Sequence, residues 1–373
     1  MGMEVGRSTH LALLDGSRLI VESCVRAGAD VYVGYPITPA NLIYAYAAQR
    51  FPMLLPAPDE ITALQWMAGL AATGRLPMTA TAFPGLALMV ESINMAYMME
   101  LPMVIVLVQR LGPSTGTATA GAQGDLRFVH GIVSGGYPVP TFAIADMEDC
   151  WTLPPVALRT AVDLRCPVVL LTSKEMVTTE RSFDLVSLSD IEAMETRWYE
   201  GDGPYRPYDA EEGGVRPFLP VGDDRHQVRL TASTHDADGI LRHSSDEALR
   251  NTRRLAAKVM AHGPTLYDGQ ETEGAEVLVV TYGITAGAAR EAVETLAARG
   301  ERVSLLVART LVPVPPVYYE IMDRYPRLVF AEENLTGQFA SILFGDRLPD
   351  RLTVVSSIGR MIGPEDIIEG VGR

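Results

Sequence analysis

Residues 31–40 read VYVGYPITPA and join a short apolar run, through a proline-rich turn, to the helical pattern of residues 41–49. An apolar strand followed by a turn and a helix is the repeating unit of a parallel sheet that helices cover on both faces. The carboxyl end of such a strand is where open α/β sheets bind their ligands. The stretch therefore predicts the fold class and also the position of a site.

The same alternation extends through the first 195 residues of the chain. Further strands are predicted where short runs are apolar throughout, at residues 78–81, 103–109, 142–145 and 168–172. Further helices are predicted at residues 17–27, 60–72, 86–98 and 147–162. Residues 1–195 are therefore predicted to form an α/β domain with one doubly wound, open parallel sheet.

The character of the sequence changes over residues 196–270. Asp, Glu, Gly, Pro and Arg dominate residues 199–224, and one helical pattern is found near residues 245–261. A segment of this length without a core of its own is typical of a linker that wraps a neighbouring domain or subunit.

Alternating strands and helices return in the last part of the chain. Strands are predicted at residues 277–281, 303–307 and 327–332, and a helix at residues 286–299. Residues 271–373 are therefore predicted to form a second, smaller α/β domain with its own doubly wound open sheet.

Charge and hydropathy exclude two classes of partner. The formal net charge of −15 argues against nucleic acid, which requires a basic surface. The most apolar stretch, residues 86–108, is interrupted by Glu91, Glu100 and Pro102, so no membrane span is predicted. The amino terminus carries Glu4 and Arg7 without an apolar run behind them, and no secretion signal is expected.

Cysteine usage indicates the compartment and limits the metal chemistry. Cys24, Cys150 and Cys166 are widely spaced and odd in number, which is typical of the reducing cytoplasm. Such a set excludes an iron–sulfur cluster or a zinc site built by this chain alone.

Three polar residues stand at strand ends or at the start of a helix. Thr38 lies between Pro36 and Pro39, whose rings fix the turn, and it either orients a ligand or caps the next helix. Glu60 opens a helix and either faces a site or compensates the helix dipole. Arg110 ends a buried strand, and its planar guanidinium either holds a carboxylate or forms an internal salt bridge. Spacing alone leaves these alternatives open.

Other motifs do not indicate a ligand site in this chain. Gly201-Asp202-Gly203 looks like the start of the magnesium–diphosphate motif of thiamine enzymes, but the next asparagine, Asn251, is too distant and no predicted strand precedes the motif. The sequence contains neither GxGxxG nor GxxxxGK(S/T), the markers of dinucleotide and P-loop sites. His235 is interpreted as a polar contact of the linker rather than a metal ligand.

Several motifs resemble the α subunit of 2-oxoglutarate:ferredoxin oxidoreductases and their 2-oxoacid relatives. In the first domain they are Tyr35-Pro36-Ile37-Thr38-Pro39, Glu60-Ile61-Thr62-Ala63, TATAFPGLALM at residues 79–89, VQRLGPSTG at residues 108–116, and Gln123-Gly124-Asp125-Leu126. In the second domain they are TYGIT at residues 281–285 and RTLVPVP at residues 309–315. The resemblance therefore covers nearly the whole chain.

The resemblance implies a division of labour between two subunits. The first domain is expected to be the pyrimidine-type half of a thiamine diphosphate site, and the second to be similar to the transketolase C-terminal domain. A β subunit is expected to bring the diphosphate half, the Mg²⁺ ligands and a [4Fe–4S] cluster, in a heterotetramer, so no metal ligand is assigned to this chain. Ferredoxin and coenzyme A are the expected electron and acyl acceptors. Separate γ and ferredoxin-like subunits are further candidate partners.

The resemblance also assigns roles to individual residues. Glu60 matches the catalytic glutamate that hydrogen-bonds the aminopyrimidine of the cofactor and promotes loss of the thiazolium proton. Thr38 and Arg110 match the residues that hold the 2-oxoacid carboxylate. The remaining cofactor-binding assignments are Tyr35, Pro36, Ile37, Pro84 and Gly85.

The chain departs from the family pattern at two places. Ala82 and Phe83 replace the usual Ser-Gly, and residues 118–123 read ATAGAQ where the family has PTKTEQ. The family favours 2-oxoglutarate as the substrate, whereas loss of the lysine favours a 2-oxoacid without a distal carboxylate. A thiamine-dependent decarboxylase or carboligase without electron transfer, and a noncatalytic structural subunit, are the alternative functions. The presence of Glu60 argues against the structural subunit.

Overall fold

A computed structural model describes residues 10–373, so the predictions that concern Glu4 and Arg7 lie outside the described residues. Its strands are β1 (Leu11–Asp15), β2 (Val31–Gly34), β3 (Met53–Pro56), β4 (Pro77–Thr81), β5 (Met103–Gln109), β6 (Thr141–Ala143), β7 (Pro167–Ser173), β8 (Glu180–Asp184), β9 (Tyr267–Gln270), β10 (Val277–Tyr282), β11 (Val303–Ala308), β12 (Thr310–Val312), β13 (Arg327–Glu332) and β14 (Leu352–Ser356). Its helices are α1 (Gly16–Arg26), α2 (Asn41–Arg50), α3 (Glu60–Ala72), α4 (Phe83–Met98), α5 (Leu126–His130), α6 (Asp149–Leu164), α7 (Lys174–Thr178), α8 (Asp246–His262), α9 (Thr285–Ala298), α10 (Pro316–Met322), α11 (Gln338–Phe344) and α12 (Pro364–Gly372).

The first sheet has seven strands in the order β12-β6-β7-β5-β4-β2-β3. All pairings in it are parallel except that of β12 with β6. Every residue of β4, β5 and β7 is buried, which explains why these strands carry few polar and no charged residues and were predictable from sequence.

The second sheet has five strands in the order β14-β13-β10-β11-β9. Its pairings are parallel except for β9, which runs antiparallel to β11. The predicted α/β class with two open sheets is thereby confirmed.

Several strands were not predicted, each for a local reason. All four residues of β9 are exposed, and this strand carries no apolar run. β3 is apolar, MLLP, but it has only four residues, ends at Pro56 and is at most half-buried. β12 has only three residues, and it follows β11 out of the second sheet to pair with β6 of the first. β1 and β8 form a separate antiparallel ribbon.

Residues 196–270, the connecting segment, pack against the first domain. The Val221 N–H donates to the Ala72 carbonyl at the end of α3 (2.8 Å). Arg165 at the end of α6 donates to the carbonyls of Pro207 and Arg216, both at 3.2 Å. None of the helices described between residues 10 and 373 is long and apolar enough to cross a membrane.

A buried ion cluster fixes α8 of the connecting segment to the first domain. Glu100, which follows α4, is 1% exposed, and its carboxylate binds the Lys258 ammonium at 2.7 Å and the Arg254 guanidinium. Burial opposes ionisation of Glu100, but Lys258 and Arg254 outweigh it and hold the pKa of Glu100 well below its usual range. A buried carboxylate paired in this way makes the contact specific, because either partner alone would be an uncompensated charge.

Candidate active site

The predicted site residues all lie at one edge of the first sheet. The strands β5, β4, β2 and β3 are consecutive and parallel, so their carboxyl ends meet at that edge. The turn of residues 35–38 follows β2, Glu60 comes after β3, Pro84 and Gly85 follow β4, and Arg110 follows β5. The structure therefore places the predicted site residues at one edge of the sheet, and their roles stay predictions.

Thr38 and Arg110 are joined by a direct hydrogen bond. Nη1 of Arg110 donates to the backbone oxygen of Thr38 at 2.5 Å, and the Thr38 hydroxyl accepts from Nδ2 of Asn41 at 3.0 Å. The cap position of α2 is Ala40, which offers no side-chain hydrogen bond. Thr38 therefore does not cap the helix, and its carbonyl instead orients the arginine.

Arg110 is 6% exposed and is not held by an internal salt bridge among residues 10–373. Its Nε is buried without a hydrogen-bond partner in this part of the chain. A buried guanidinium with an unused donor lowers the stability of the folded chain unless a ligand accepts from it. This favours the alternative in which Arg110 holds an anion.

Asp59, and not Glu60, caps the helix α3. The Asp59 carboxylate accepts from the Thr62 N–H at 2.7 Å and caps α3, while Glu60, the first helical residue, is 6% exposed. The Glu60 side chain lies against α4: a Cβ added at Gly85 would be 2.8 Å from Oε1 of Glu60 and 2.1 Å from the Thr81 hydroxyl. Only glycine fits at position 85 while Glu60 occupies this place.

These residues suit the aminopyrimidine end of thiamine diphosphate. A buried carboxylate beside small residues can accept a hydrogen bond from a ring nitrogen that carries a proton. The rim exposes apolar side chains, with Tyr35 at 41%, Ile61 at 49% and Leu88 at 51%. Within residues 10–373 there is no cluster of three His, Cys, Asp or Glu residues that could hold a metal ion.

Asp125 is a buried carboxylate close to the site. It is 5% exposed and precedes α5, beside Gln109 and Arg110 at the end of β5. Burial raises the pKa of Asp125 to about 7, and the Gln109 amide and the Arg110 charge only partly oppose this. The carboxyl group therefore changes charge near neutral pH next to the arginine.

The loop of residues 111–123 is closed at its base. The Leu111 N–H donates to the Ala120 carbonyl (2.8 Å), and the Thr117 N–H donates to the Leu111 carbonyl (3.0 Å). The Gly121 N–H donates to Oε1 of Glu175 at 3.1 Å. Phe83, one of the two departures after β4, packs edge-on against Phe128 of α5 with ring centroids 5.2 Å apart.

Sequence reasoning did not single out Gln123 and Asp125, which are both buried. Each lies inside a quoted motif, and that placement was the available signal, but nothing in the local spacing showed what these residues touch. The two signals that were set aside lie in the connecting segment. Gly201-Asp202-Gly203 forms an irregular turn, and His235 is bonded between the Ser233 carbonyl (2.6 Å) and the Asn251 amide (2.8 Å).

Comparison with known proteins agrees with the two-domain fold. Residues 22–254 match the family described as pyruvate flavodoxin/ferredoxin oxidoreductase, thiamine diphosphate-binding, and residues 269–343 match the transketolase C-terminal domain. The 2-oxoglutarate synthase subunit KorA of Methanothermobacter thermautotrophicus is 30% identical over 90% of both chains. The ketoisovalerate oxidoreductase subunit VorB of the same organism is 29% identical over 96% of both chains.

A solved structure gives the same picture. The 2-oxoglutarate:ferredoxin oxidoreductase from Magnetococcus marinus, with 2-oxoglutarate, coenzyme A and succinyl-CoA bound, superposes with a TM-score of 0.91 at 27% identity. The match covers 98% of this chain and 65% of that chain. Fold and site thus define a thiamine-dependent oxidoreductase subunit. The chain belongs to the 2-oxoacid:ferredoxin oxidoreductase family and corresponds to its α subunit, as the sequence predicted.

Proposed function

We propose that this chain, with a β subunit, catalyses the coenzyme A-dependent oxidative decarboxylation of 2-oxoglutarate with transfer of electrons to ferredoxin, or the reverse carboxylation. The observation that carries the proposal is the Arg110–Thr38 hydrogen bond at the sheet edge that also holds Glu60. The 2-oxoglutarate synthase relatives and the solved structure with 2-oxoglutarate support this choice of substrate.

Each site residue has a defined task in this proposal. Arg110 neutralises and orients the carboxylate common to 2-oxoacids, and the Thr38 carbonyl keeps the guanidinium in place. Glu60 hydrogen-bonds the aminopyrimidine ring of the cofactor, and Gly85 leaves room for that contact. When bound, thiamine diphosphate supplies the carbon nucleophile and the electron sink that decarboxylation requires. The cofactor site is lined by the turn of Tyr35, Pro36 and Ile37 and by Pro84 at the start of α4.

The partner subunit completes the site. In this proposal it brings the Mg²⁺ ligands, the diphosphate contacts and the [4Fe–4S] cluster, and it covers the exposed side chains of Tyr35, Ile61 and Leu88. Two α and two β chains then form a cytoplasmic heterotetramer. Separate γ and ferredoxin-like subunits remain candidate additions, and the domain boundaries at residues 195 and 270 stay predictions.

The test is reconstitution. The chain is purified alone and with its β subunit, and reduction of a viologen dye is followed with 2-oxoglutarate, 2-oxobutyrate and pyruvate in the presence of coenzyme A. We expect dye reduction only by the complex and fastest with 2-oxoglutarate. Decarboxylation without dye reduction would identify the non-redox decarboxylase instead, and turnover by the isolated chain would contradict the shared site.

A second candidate substrate is a 2-oxoacid without a distal carboxylate, such as 2-oxoisovalerate. The loop beside Arg110 carries the uncharged residues Ala120, Gly121 and Ala122, and Ala122 is 5% exposed. The ketoisovalerate oxidoreductase relative matches this chain over nearly its full length. Including 2-oxoisovalerate in the screen discriminates the two candidates.

A further inference from the structure

Gln123 is a buried point of contact between the two domains. It belongs to the first domain and is 1% exposed. Its Nε2 donates to the Tyr282 carbonyl (2.8 Å), and its Oε1 accepts from the Thr285 hydroxyl (3.0 Å) and from the Glu333 N–H (2.7 Å). Its backbone N–H donates to the Glu333 carbonyl (2.7 Å), and its carbonyl accepts from Tyr282 Oη (3.2 Å) and Asn334 Nδ2 (3.3 Å). Backbone and side chain are therefore both anchored in the second domain.

The surroundings are shaped for this side chain. Gly283 has a φ of +60°, and a Cβ there would lie 2.7 Å from Nε2 of Gln123. A glutamate at position 123 would lose the donor toward the Tyr282 carbonyl and would set a carboxylate oxygen against that carbonyl oxygen. Only an amide offers the donor at one end and the acceptor at the other that this place requires.

The anchored residue lies next to the Arg110 contacts in the chain. Ala120, three residues before Gln123, closes the loop at Leu111, the residue that follows Arg110. Asp125, two residues after Gln123, is close enough for the charge of Arg110 to lower its pKa, although burial raises it more. The segment that Gln123 anchors therefore bonds to Leu111, the neighbour of Arg110 in sequence, and carries a carboxylate within electrostatic reach of Arg110.

We propose that Gln123 is a positioning residue. Through it, the second domain fixes the loop of residues 111–123 and keeps Arg110 in hydrogen-bond contact with Thr38. Gln123 acts through the loop backbone and does not touch the substrate. The inference rests on the proposed function, because it concerns the residue assigned to the substrate carboxylate. It also gives the second domain a task in a site to which it contributes no assigned residue.

A matched pair of threonines provides the test. Thr285 and Thr281 are both 1% exposed and both donate a buried hydrogen bond, but Thr285 donates to Gln123 Oε1 (3.0 Å) whereas Thr281 donates to the Ala331 carbonyl inside the second domain (2.7 Å). Thr285→Val and Thr281→Val therefore remove comparable bonds, and only the first bears on Gln123. Both variants are measured as the complex with the β subunit.

We expect Thr285→Val to raise the KM for the 2-oxoacid by about three- to tenfold, the worth of one neutral hydrogen bond, with the KM for coenzyme A unchanged. Thr281→Val should leave both constants as in the wild type. Gln123→Ala should lower kcat/KM for every 2-oxoacid by about tenfold or more. Equal KM values in Thr285→Val and Thr281→Val would overturn the positioning role even if Gln123→Ala fails to fold.

Hydrogen exchange gives a readout that needs no turnover. In the full chain, the amides of Leu111, Thr117 and Gly121 should exchange faster in Thr285→Val than in Thr281→Val, because the loop loses part of its anchor. The same exchange in both variants would contradict the inference. A wild-type complex that reduces no dye with any 2-oxoacid would instead contradict the proposed function, and the exchange comparison would still decide the role of Gln123.

Discussion

The guanidinium of Arg110 reaches across the end of β4 to the carbonyl of Thr38, so the two ends of β5 and β2 are tied together by one hydrogen bond of 2.5 Å. The two strands are not neighbours in the sheet, and the intervening strand leads into α4, where Gly85 meets Glu60. The bond therefore spans the part of the edge where substrate and cofactor would meet.

Replacing Arg110 should weaken all 2-oxoacids together. A charged hydrogen bond of about 1.5–3 kcal/mol corresponds to roughly 10–150-fold in kcat/KM, so Arg110→Ala should cost this much for 2-oxoglutarate, 2-oxobutyrate and pyruvate alike. Arg127, which pairs with Asp346 at the surface, is the control, and Arg127→Ala should leave kcat/KM unchanged. Loss of activity toward only one of the three substrates would argue against a shared carboxylate contact.

Glu60 and Asp59 should separate catalysis from helix capping. Glu60→Gln should lower kcat by roughly 10²–10⁴-fold, the usual worth of a positioned acid–base group, with the melting temperature nearly unchanged. Asp59→Ala should instead lower the melting temperature and leave kcat nearly unchanged, because the Asp59 carboxylate caps α3. Steady-state kinetics of the complex and thermal unfolding of the chain check both. Normal activity with a lowered melting temperature in Glu60→Gln would return Glu60 to a role at the helix terminus.

Asp125 should make stability depend on pH. Because burial raises its pKa to about 7, the folded chain retains a proton that the unfolded chain loses above about pH 4. Stability should therefore fall as the pH rises from about 4 to 7 and should then level off, by about 4 kcal/mol at most, since one pKa unit corresponds to about 1.4 kcal/mol.

Asp125→Asn removes this dependence, so its melting temperature should exceed that of the wild type increasingly from pH 5 to about pH 7, and by a constant margin above that. Asp350→Asn, at an exposed position, is the control and should run parallel to the wild type. Parallel curves for the wild type and Asp125→Asn would show that the carboxyl group stays ionised throughout.

The buried ion cluster should be far more sensitive than a surface pair. Glu100→Gln leaves Lys258 and Arg254 without their counter-ion and should destabilise the chain by about 3–5 kcal/mol. Glu22→Gln, which breaks surface pairs with Arg26 and Arg50, should lower the melting temperature only slightly. Similar shifts in the two variants would mean that the contact between α8 and α4 contributes little.

The loop beside Arg110 should be tested by restoring a charge. Ala120→Lys places an ammonium group next to the Gly121–Glu175 contact and should raise kcat/KM for 2-oxoglutarate relative to 2-oxobutyrate and pyruvate. Ala118→Lys, at another half-buried position of the loop, is the control. If the ratio between the three substrates is the same in all proteins, the loop does not read the distal end of the substrate.

The sequence predicted the parts of the fold that carry their own pattern. The central strand β5 was predicted with its observed limits because all of its residues are buried. α4 begins three residues before the predicted start, since Pro84 fits the first turn of a helix and does not end it. The edge strand β9 was missed because it is exposed and has no apolar run, and β3 was missed because its apolar run has only four residues and ends in a proline.

The candidate site was predictable only as a set of strand ends. The positions of Thr38, Glu60 and Arg110 in the chain place them at one edge once the sheet is parallel, but their contacts depend on the strand order. The role of Gln123 required the two domains to be packed, since its partners are more than 150 residues away in sequence. Local sequence patterns cannot predict a contact between residues so far apart in the chain.

The short strand β12 has a consequence for any attempt to divide the chain. It lies between β11 and β13 of the second sheet in sequence, yet it occupies the edge of the first sheet, where it covers β6. A fragment that ends near residue 270 would leave the β6 backbone groups open to pairing with another molecule, which is a common route to aggregation. The two domains are thus interlocked pieces of one folding unit, and a gene split at the linker should yield insoluble halves unless both are made together.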